Sequence, residues 1–276
     1  MKWGVIGTGN MGGILIESWM ESEVITDSQL HIYNRTFSKT DYFKKRYPNI
    51  TVHEAATSIA SEVDLLFICV KPLDITPVLK GISPYLNKDQ CIVSITSPYQ
   101  VEQLEQMVPC QAIRMIPSIT NRSLSGISLV TFGTRVSPFV KGYFLQSLKR
   151  YSKPVFIDPS ITRVASDIVS CGPAFFSYLT QRFVRAAVEE TKITEEVATE
   201  MAAEMLIGLG NLLEKGYFTL PELQAKVCVK GGVTGEGIKV LENEVEHMFH
   251  HLFQKTHKKY DDDLDKIAKQ LNEVDI

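Results

Sequence analysis

The chain has 276 residues, of which 44% are hydrophobic and 22% charged, with a formal net charge of −3. That length allows two domains with real cores, the composition is ordinary for a globular protein, and the charge lends no support to a nucleic-acid surface. The longest apolar run, Leu65–Val70, is too short to cross a bilayer, and the first strand begins where a signal's basic region would lie, so neither a membrane segment nor a signal peptide is expected.

Trp3, Val5 and Ile6 predict a strand at the very start of the chain. The turn Gly7-Thr8-Gly9-Asn10-Met11-Gly12 follows, and Ile14, Leu15, Ser18 and Trp19 then take up a helical spacing. This is G-x-G-x-x-G in its required setting of strand, tight turn and helix, the fingerprint of a dinucleotide site. Gly7 permits the turn, Gly9 lets the backbone approach a pyrophosphate, and Gly12 lets helix and strand pack closely. The helix N-terminus offers N–H groups and partial positive charge to the phosphates. A merely structural glycine turn is the alternative.

Leu30–Tyr33 reads as the second strand, ending at Asn34-Arg35-Thr36. An NAD site usually places an acid there for the ribose 2′-hydroxyl, whereas a 2′-phosphate needs cationic and hydroxyl donors. Arg35, with Thr36 and Ser38 beside it, therefore favours NADPH, with NADH still possible. The alternative is a solvated arginine at a strand end.

A charged helix over Asp41–Tyr47 and a short strand over Ile50–Val52 come next. Asp64–Val70 is a continuous apolar run, as expected for a strand covered on both faces. It stops at Lys71-Pro72, at the carboxyl edge of the sheet beside the cofactor crevice. Lys71 there faces either an anionic ligand or plain solvent. A helix over Ile75–Tyr85, a strand over Cys91–Thr96, a helix over Val101–Met107 and a strand over Ala112–Ile116 continue the alternation. Ile127–Phe132 and Pro154–Ile157 add outer strands around a helix over Phe139–Tyr151. Such alternation indicates a doubly wound, mainly parallel α/β sheet of the Rossmann kind.

From Ile161 onward helical periodicity replaces strand patterning, and the domain boundary is expected near Asp158-Pro159-Ser160, giving domains 1–158 and 159–276. Gly172-Pro173 opens a long helix, and Thr194 reads as the N-cap of another that closes at Lys215-Gly216. A shorter helix follows Pro221, and a glycine-rich turn spans Lys230–Gly237. The last helix is expected from about Ile238 towards Gln270, with a break near Asn243. Several apolar helix faces in an all-α second domain point to a homodimer or higher homo-oligomer. Cys69, Cys91, Cys110, Cys171 and Cys228 are scattered and odd in number, which suits reduced thiols in a cytoplasm.

Hydride transfer asks little of side chains, because a nicotinamide carries the hard step. The protein must hold the acceptor carbon against the ring, fix a charged group, exclude water and manage one proton. Gly231-Gly232-Val233-Thr234 suits that task, with backbone N–H groups for a carboxylate and a hydroxyl donor on Thr234. No metal centre is expected: His247/His251 have ligand spacing on a helix shared with His250 and His257, but no acid or cysteine partner is evident. Asp261-Asp262-Asp263 reads as a solvated face, Cys171 as a small buried residue, and Glu236 as a lesser candidate for proton transfer.

The segments GVIGTGNMG, FICVKP, RMIP, DIVSCGPAFF and KGGVTGEGI stand in an order that resembles pyrroline-5-carboxylate reductases across nearly the whole chain. Within that family the chain looks most like the type encoded with competence genes. The resemblance implies an NADPH-dependent enzyme with a Rossmann domain and an all-α dimerisation domain, reducing the C=N bond of 1-pyrroline-5-carboxylate to give L-proline. By position, Gly7, Gly9 and Gly12 match the family's pyrophosphate turn, and Asn34, Arg35 and Thr36 its adenosine-phosphate end. Val70, Lys71 and Pro72 match the segment flanking the cofactor. Gly231, Gly232 and Thr234 match the turn holding the substrate carboxylate, with Thr234 near the imine nitrogen.

The family's S-P-G-G-T-T stands here as Val229-Lys230-Gly231-Gly232-Val233-Thr234, its M-P-N-T-P as Ile116-Pro117-Ser118-Ile119-Thr120, and its G-S-G-P-A-Y as Ser170-Cys171-Gly172-Pro173-Ala174-Phe175. Each hydrogen bond lost to a charged substrate costs about 1.5–3 kcal/mol. Lys230 is expected to compensate as a cation for the carboxylate. A β-hydroxyacid dehydrogenase shares the opening motif but needs a lysine base in the interdomain helix, and Ser170–Ala187 contains none.

Overall fold

The computed structural model describes residues 1–272; residues 273–276, the end of the expected second domain, lie outside the described residues. The first half runs β1 (Trp3–Ile6), α1 (Asn10–Glu21), β2 (Leu30–Tyr33), α2 (Ser38–Arg46), β3 (Thr51–Val52), α3 (Ala56–Glu62), β4 (Leu65–Ile68) and α4 (Pro72–Ile82). It continues through β5 (Cys91–Ser94), α5 (Val101–Met107), β6 (Gln111–Ile116), β7 (Ile127–Phe132), α6 (Pro138–Leu148) and β8 (Lys153–Phe156). Among the described residues these strands form one 8-stranded sheet in the order β3-β2-β1-β4-β5-β6-β7-β8. The pairing is parallel except between β6 and β7. The doubly wound α/β sheet read from the sequence is therefore present.

Both sheet faces carry a core, which explains the unbroken apolar run of β4, whose residues are all buried. On one face Trp3 meets Trp19 edge-on at 4.9 Å, and Trp19 packs on Phe67 at 4.6 Å. On the other face Ile6, Leu66, Ile68 and Ile92 pack under Leu79 and Leu104. Each such side chain removed from water contributes about 1.5–3 kcal/mol. The short helix α3 is an addition to the elements expected from sequence. Its Ile59 and Ala60 are buried, but one turn of apolar residues is too brief a period to read.

The second half comprises α7 (Thr162–Ser166), a π-helical turn (Asp167–Cys171), α8 (Gly172–Glu190), α9 (Glu195–Glu214), α10 (Leu220–Val227), α11 (Val233–Val245) and α12 (Met248–Asn272). Thr194 caps α9 by accepting from the Val197 N–H, as its position predicts. The helix break falls at Glu246-His247 rather than near Asn243.

The chain divides into one compact unit of Met1–Cys171 with the segment from Thr256 onward, and a second of Gly172–Lys255. The first unit thus runs past the expected 158/159 boundary, and the reason is polar anchoring. Arg114 of β6, 1% exposed, donates to Thr162 Oγ1 at 3.1 Å, and Ser170 Oγ donates to the Pro117 carbonyl at 2.7 Å. The later part of α12 also belongs to this unit. Tyr260 donates its hydroxyl to the Ser97 carbonyl at 3.2 Å, and Ile267 is buried with the Leu79 cluster. The second unit keeps a small core of Val184, Ala198 and Ala202. Phe176, Phe183, Met201, Met205 and Ile207 are exposed in the single chain.

Candidate dinucleotide and carboxylate sites

At the end of β1 the glycines of the opening motif have separate tasks. Gly7 has φ +100, and a Cβ there would stand 2.5 Å from the Cys69 carbonyl oxygen. A Cβ on Gly12 would fall 2.1 Å from the Gly7 oxygen and 3.1 Å from the Cys69 Cβ, so helix α1 can approach β4 only without a side chain. Gly9 differs: a Cβ there would meet nothing within 4 Å. Its side faces open space. Gly9 is also the N-cap of α1, with no side-chain cap. The N–H groups of Asn10, Met11 and Gly12 therefore remain available at the helix start.

Thr8 adds a second observation. Its N–H donates to Asn34 Oδ1 at 3.1 Å, but its hydroxyl is buried with no hydrogen-bond partner among the described residues. A buried hydroxyl without a partner is costly, and a phosphate oxygen beside the turn would satisfy it. The donor set therefore fits a dinucleotide pyrophosphate.

The remaining expected cofactor residues of the first unit gather at the same edge. The Gly7 N–H donates to the Tyr33 carbonyl at 2.8 Å, joining the ends of β1 and β2. The Asn34 side chain accepts from Thr8 and donates to the Thr36 carbonyl at 2.9 Å, which shapes the turn that presents Arg35 and Thr36 to solvent. Val70 Cγ1 would lie 3.3 Å from a Cβ on Gly7, so the end of β4 closes the other side. Lys71 is the N-cap of α4 with no side-chain cap, and Pro72 fills the first helical position. β1 lies between β2 and β4, where the strand order reverses and α/β sheets bind ligands.

The departures near β6 have a clear structural form. Ser118 is buried and turned into its own loop, accepting from the Thr120 N–H at 3.3 Å and from the Thr120 hydroxyl at 2.9 Å. Its N–H donates to Asn121 Oδ1 at 2.9 Å. Ile119, by contrast, is exposed. Burial pushes the Cys171 thiol up, which disfavours a reactive thiolate there. Its sulfur lies 3.5 Å from Arg163 Nη2, which also pairs with buried Asp167 at 2.8 Å.

Sequence reasoning alone does not single out Arg114 and Asp167. Signals for both are present: an arginine inside the apolar strand A-I-R-M-I, and an arginine and an aspartate at i,i+4 before the Gly172 helix.

The second unit holds Lys230, Gly231, Gly232 and Thr234 around the start of α11. Gly231 has φ +77, and the Gly232 N–H donates to the Val229 carbonyl at 2.9 Å, closing a tight turn. A Cβ on Gly232 would meet Val229 Cγ2 at 2.8 Å. Gly232 is the N-cap of α11 with no side-chain cap, so the first-turn N–H groups, beside a half-buried Thr234, are free to bind an anion. The expected glycine-rich turn thus ends at Gly232. Gly235 and Gly237 are helical, at a cost of about 1 kcal/mol each relative to alanine. Lys230 and Val229 are exposed, and Glu236 is engaged by Lys239 at 2.8 Å. His247 and His251 are exposed with ring centroids 6.3 Å apart, and the expected Asp261–Asp263 face is paired in part, Asp263 with Lys259.

Residues 159–262 match the family model for pyrroline-5-carboxylate reductase dimerisation, and residues 2–98 that for NADP oxidoreductase, coenzyme F420-dependent. ComE operon protein 4 of Bacillus subtilis (strain 168) is 56% identical over 272 residues, covering 99% of this chain and 100% of the relative. Pyrroline-5-carboxylate reductase 3 of the same organism is 29% identical over 268 residues, covering 97% and 98%. Among solved structures, Plasmodium falciparum pyrroline carboxylate reductase with NADP bound has a TM-score of 0.81 at 20% identity, covering 96% of each chain. Among the described residues no helix is long and apolar enough to cross a membrane. With relatives matched end to end and the helical region matched by its own model, the chain belongs to the pyrroline-5-carboxylate reductase family.

Proposed function

We propose that the protein is an NADPH-dependent reductase of 1-pyrroline-5-carboxylate, or of a related cyclic imine, yielding L-proline. The observation that carries this reading is the opening turn, with Gly9 open, α1 uncapped and the Thr8 hydroxyl without a partner. Bound NADPH would supply hydride to the imine carbon. Gly7, Thr8, Gly9, Asn10, Met11 and Gly12 hold the pyrophosphate. Asn34, Arg35 and Thr36 receive the 2′-phosphate, and Val70, Lys71 and Pro72 flank the nicotinamide half. The N–H groups after Gly231 and Gly232 bind the substrate carboxylate, Lys230 adds charge, and the Thr234 hydroxyl holds the proton at the imine nitrogen. The exposed apolar residues of α8 and α9 support a homodimer or higher homo-oligomer. The five free cysteines suit a reducing cytoplasm.

Purified protein mixed with NADPH and pyrroline-5-carboxylate tests this directly. Loss of nicotinamide absorbance with matching proline formation is the expected result. A second reading, an NADPH-binding accessory protein linked to competence with little turnover, is favoured by exposed Val229 where the family has a serine. NADPH binding without proline formation would select it.

A further inference from the structure

A polar cluster beneath α3 is used by neither proposed site. His31 stands in β2, and His53 follows β3 with its N–H donating to the Ile32 carbonyl at 2.9 Å. Their rings stack at 5.2 Å between centroids, and His31 Nδ1 faces His53 Nε2 at 2.9 Å. Both imidazoles are buried, at 3% and 7% exposure. Glu62, at the end of α3, reaches within 3.9 Å of His31 Nδ1 through Oε2 and is half exposed.

The hydrogen bonds assign the tautomers. Ser58 Oγ donates to the Ala55 carbonyl at 2.8 Å, so towards His53 Nδ1, 3.2 Å away, it acts as acceptor. His53 therefore carries its proton on Nδ1, and its Nε2 offers a lone pair. That lone pair points at His31 Nδ1, on the side where the Glu62 carboxylate arrives. One ligand atom from each of His31, His53 and Glu62 falls within 4.8 Å of the others.

We propose that His31 Nδ1, His53 Nε2 and a Glu62 carboxylate oxygen form a binding site for a divalent transition-metal ion of the zinc type. Imidazole nitrogen with carboxylate oxygen is a donor set that zinc accepts at about 2.0–2.2 Å. Tetrahedral geometry at those bond lengths places two nitrogens roughly 3.3 Å apart, so the histidine pair needs to open only slightly. Glu62 completes the set from the solvent side, where an ion can enter, and water takes the fourth position. Ser58 supports the site from behind, because a ligating histidine holds its orientation through its other ring N–H.

Burial first of all, then the neighbouring His53 and Lys2, holds the His31 ring below the ordinary histidine range, and burial does the same for His53. Both rings are thus neutral near pH 7, the form that binds metal. When the ion binds, the proton on His31 Nδ1 leaves through solvent and Nε2 takes one up, so no net proton is lost. Glu62 and Asp64 both favour a cation here, against Lys2. An ion at this place would link β2, β3 and α3 at the edge of the sheet.

The experiment uses the untagged full chain with zinc chloride alone, followed by equilibrium dialysis and thermal melting. One zinc per chain and a rise in Tm with added metal are expected. Glu62→Gln, at a half-exposed position that leaves the fold intact, should weaken binding, and His53→Gln should remove it. Ser58→Ala should cost about 10–100-fold in affinity. A paired His247→Ala and His251→Ala variant controls for the exposed histidines and should bind as the parent does. Cobalt in place of zinc should give bands of nitrogen and oxygen ligation without thiolate charge transfer. The proposal is overturned if the parent chain binds no zinc, if binding survives His53→Gln or is indifferent to Glu62→Gln, or if it disappears in the His247/His251 control.

Discussion

The backbone carbonyl of Cys69 occupies the direction in which a side chain on Gly7 would project, 2.5 Å from where its Cβ would stand. Gly7 and Gly9 are therefore different kinds of glycine. Gly7→Ala should destabilise the fold by about 1–3 kcal/mol, through a strained φ and a clash with main chain. Gly9→Ala should leave stability within about 1 kcal/mol yet weaken NADPH. Urea unfolding beside a dinucleotide titration separates the two, and equal loss of stability in both variants would contradict the assignment.

Arg35 is exposed, so its removal tests recognition without disturbing packing. Arg35→Ala should weaken NADPH by roughly 10–100-fold, the equivalent of about 1.5–3 kcal/mol from a charged hydrogen-bonding group. NADH affinity should barely change. Equal weakening of both nucleotides would refute a 2′-phosphate contact.

Thr234 and Lys230 should divide in steady-state kinetics. Thr234→Ala is expected to lower kcat at least about tenfold, as removal of a positioned proton donor does, and Thr234→Ser should restore most of it. Lys230→Ala should raise KM for the imino acid while leaving kcat close to the parent value. A Thr234→Ala enzyme with unchanged kcat would remove the residue from the mechanism.

Among the described residues, buried Arg114 has no carboxylate as a hydrogen-bond partner. It donates to Gln100 Oε1 at 3.0 Å, to the Ser97 and Tyr99 carbonyls, and to the hydroxyls of Thr131 and Thr162. Arg114→Lys cannot reproduce that planar fork. It should cost about 3 kcal/mol, in the upper part of the ordinary range. Hydrogen exchange should rise selectively across residues 159–171. Retained protection there would show that Arg114 does not anchor the segment.

His31 and His53 also predict a pH dependence in metal-free protein. Their folded-state affinity for protons lies below the ordinary histidine value of 6.5. The unfolded chain therefore binds more protons as the pH falls below about 6.5. The contribution to stability is complete above that pH and declines as the pH falls towards the lowered folded values. A shallower slope below about pH 6.5 in the paired His31→Gln and His53→Gln variant, by chemical denaturation with chelator present, is the expected result.

Much of the first unit is legible in the sequence because its physics is local. The apolar run at Leu65–Ile68, the glycine turn and the cap at Thr194 each follow from spacing over a few residues. What escapes the sequence depends on distant partners. Nothing near Arg114 announces Thr162, and nothing near His31 announces His53. The candidate site is readable as residue types, but not the orphaned Thr8 hydroxyl, which requires knowing that no neighbour reaches it. The start of α11 is hidden because Gly235 and Gly237 read as turn residues, whereas the helix tolerates both.

Asp167, one side of whose carboxylate pairs with Arg163, accepts on the other from the Thr256 hydroxyl at 2.7 Å. Asp167 stands just before the chain leaves the first unit, and Thr256 is where it returns. Gly172–Lys255 is thus topologically an insertion rather than a tail, and the departing and returning stretches of the first unit are tied together as a neck by Asp167 and Thr256. A protease cut within it would leave two fragments that both remain fastened to the sheet-bearing body. A chain truncated after Lys255 would instead strip Tyr260 and Ile267 from that body and leave the neck with one strand.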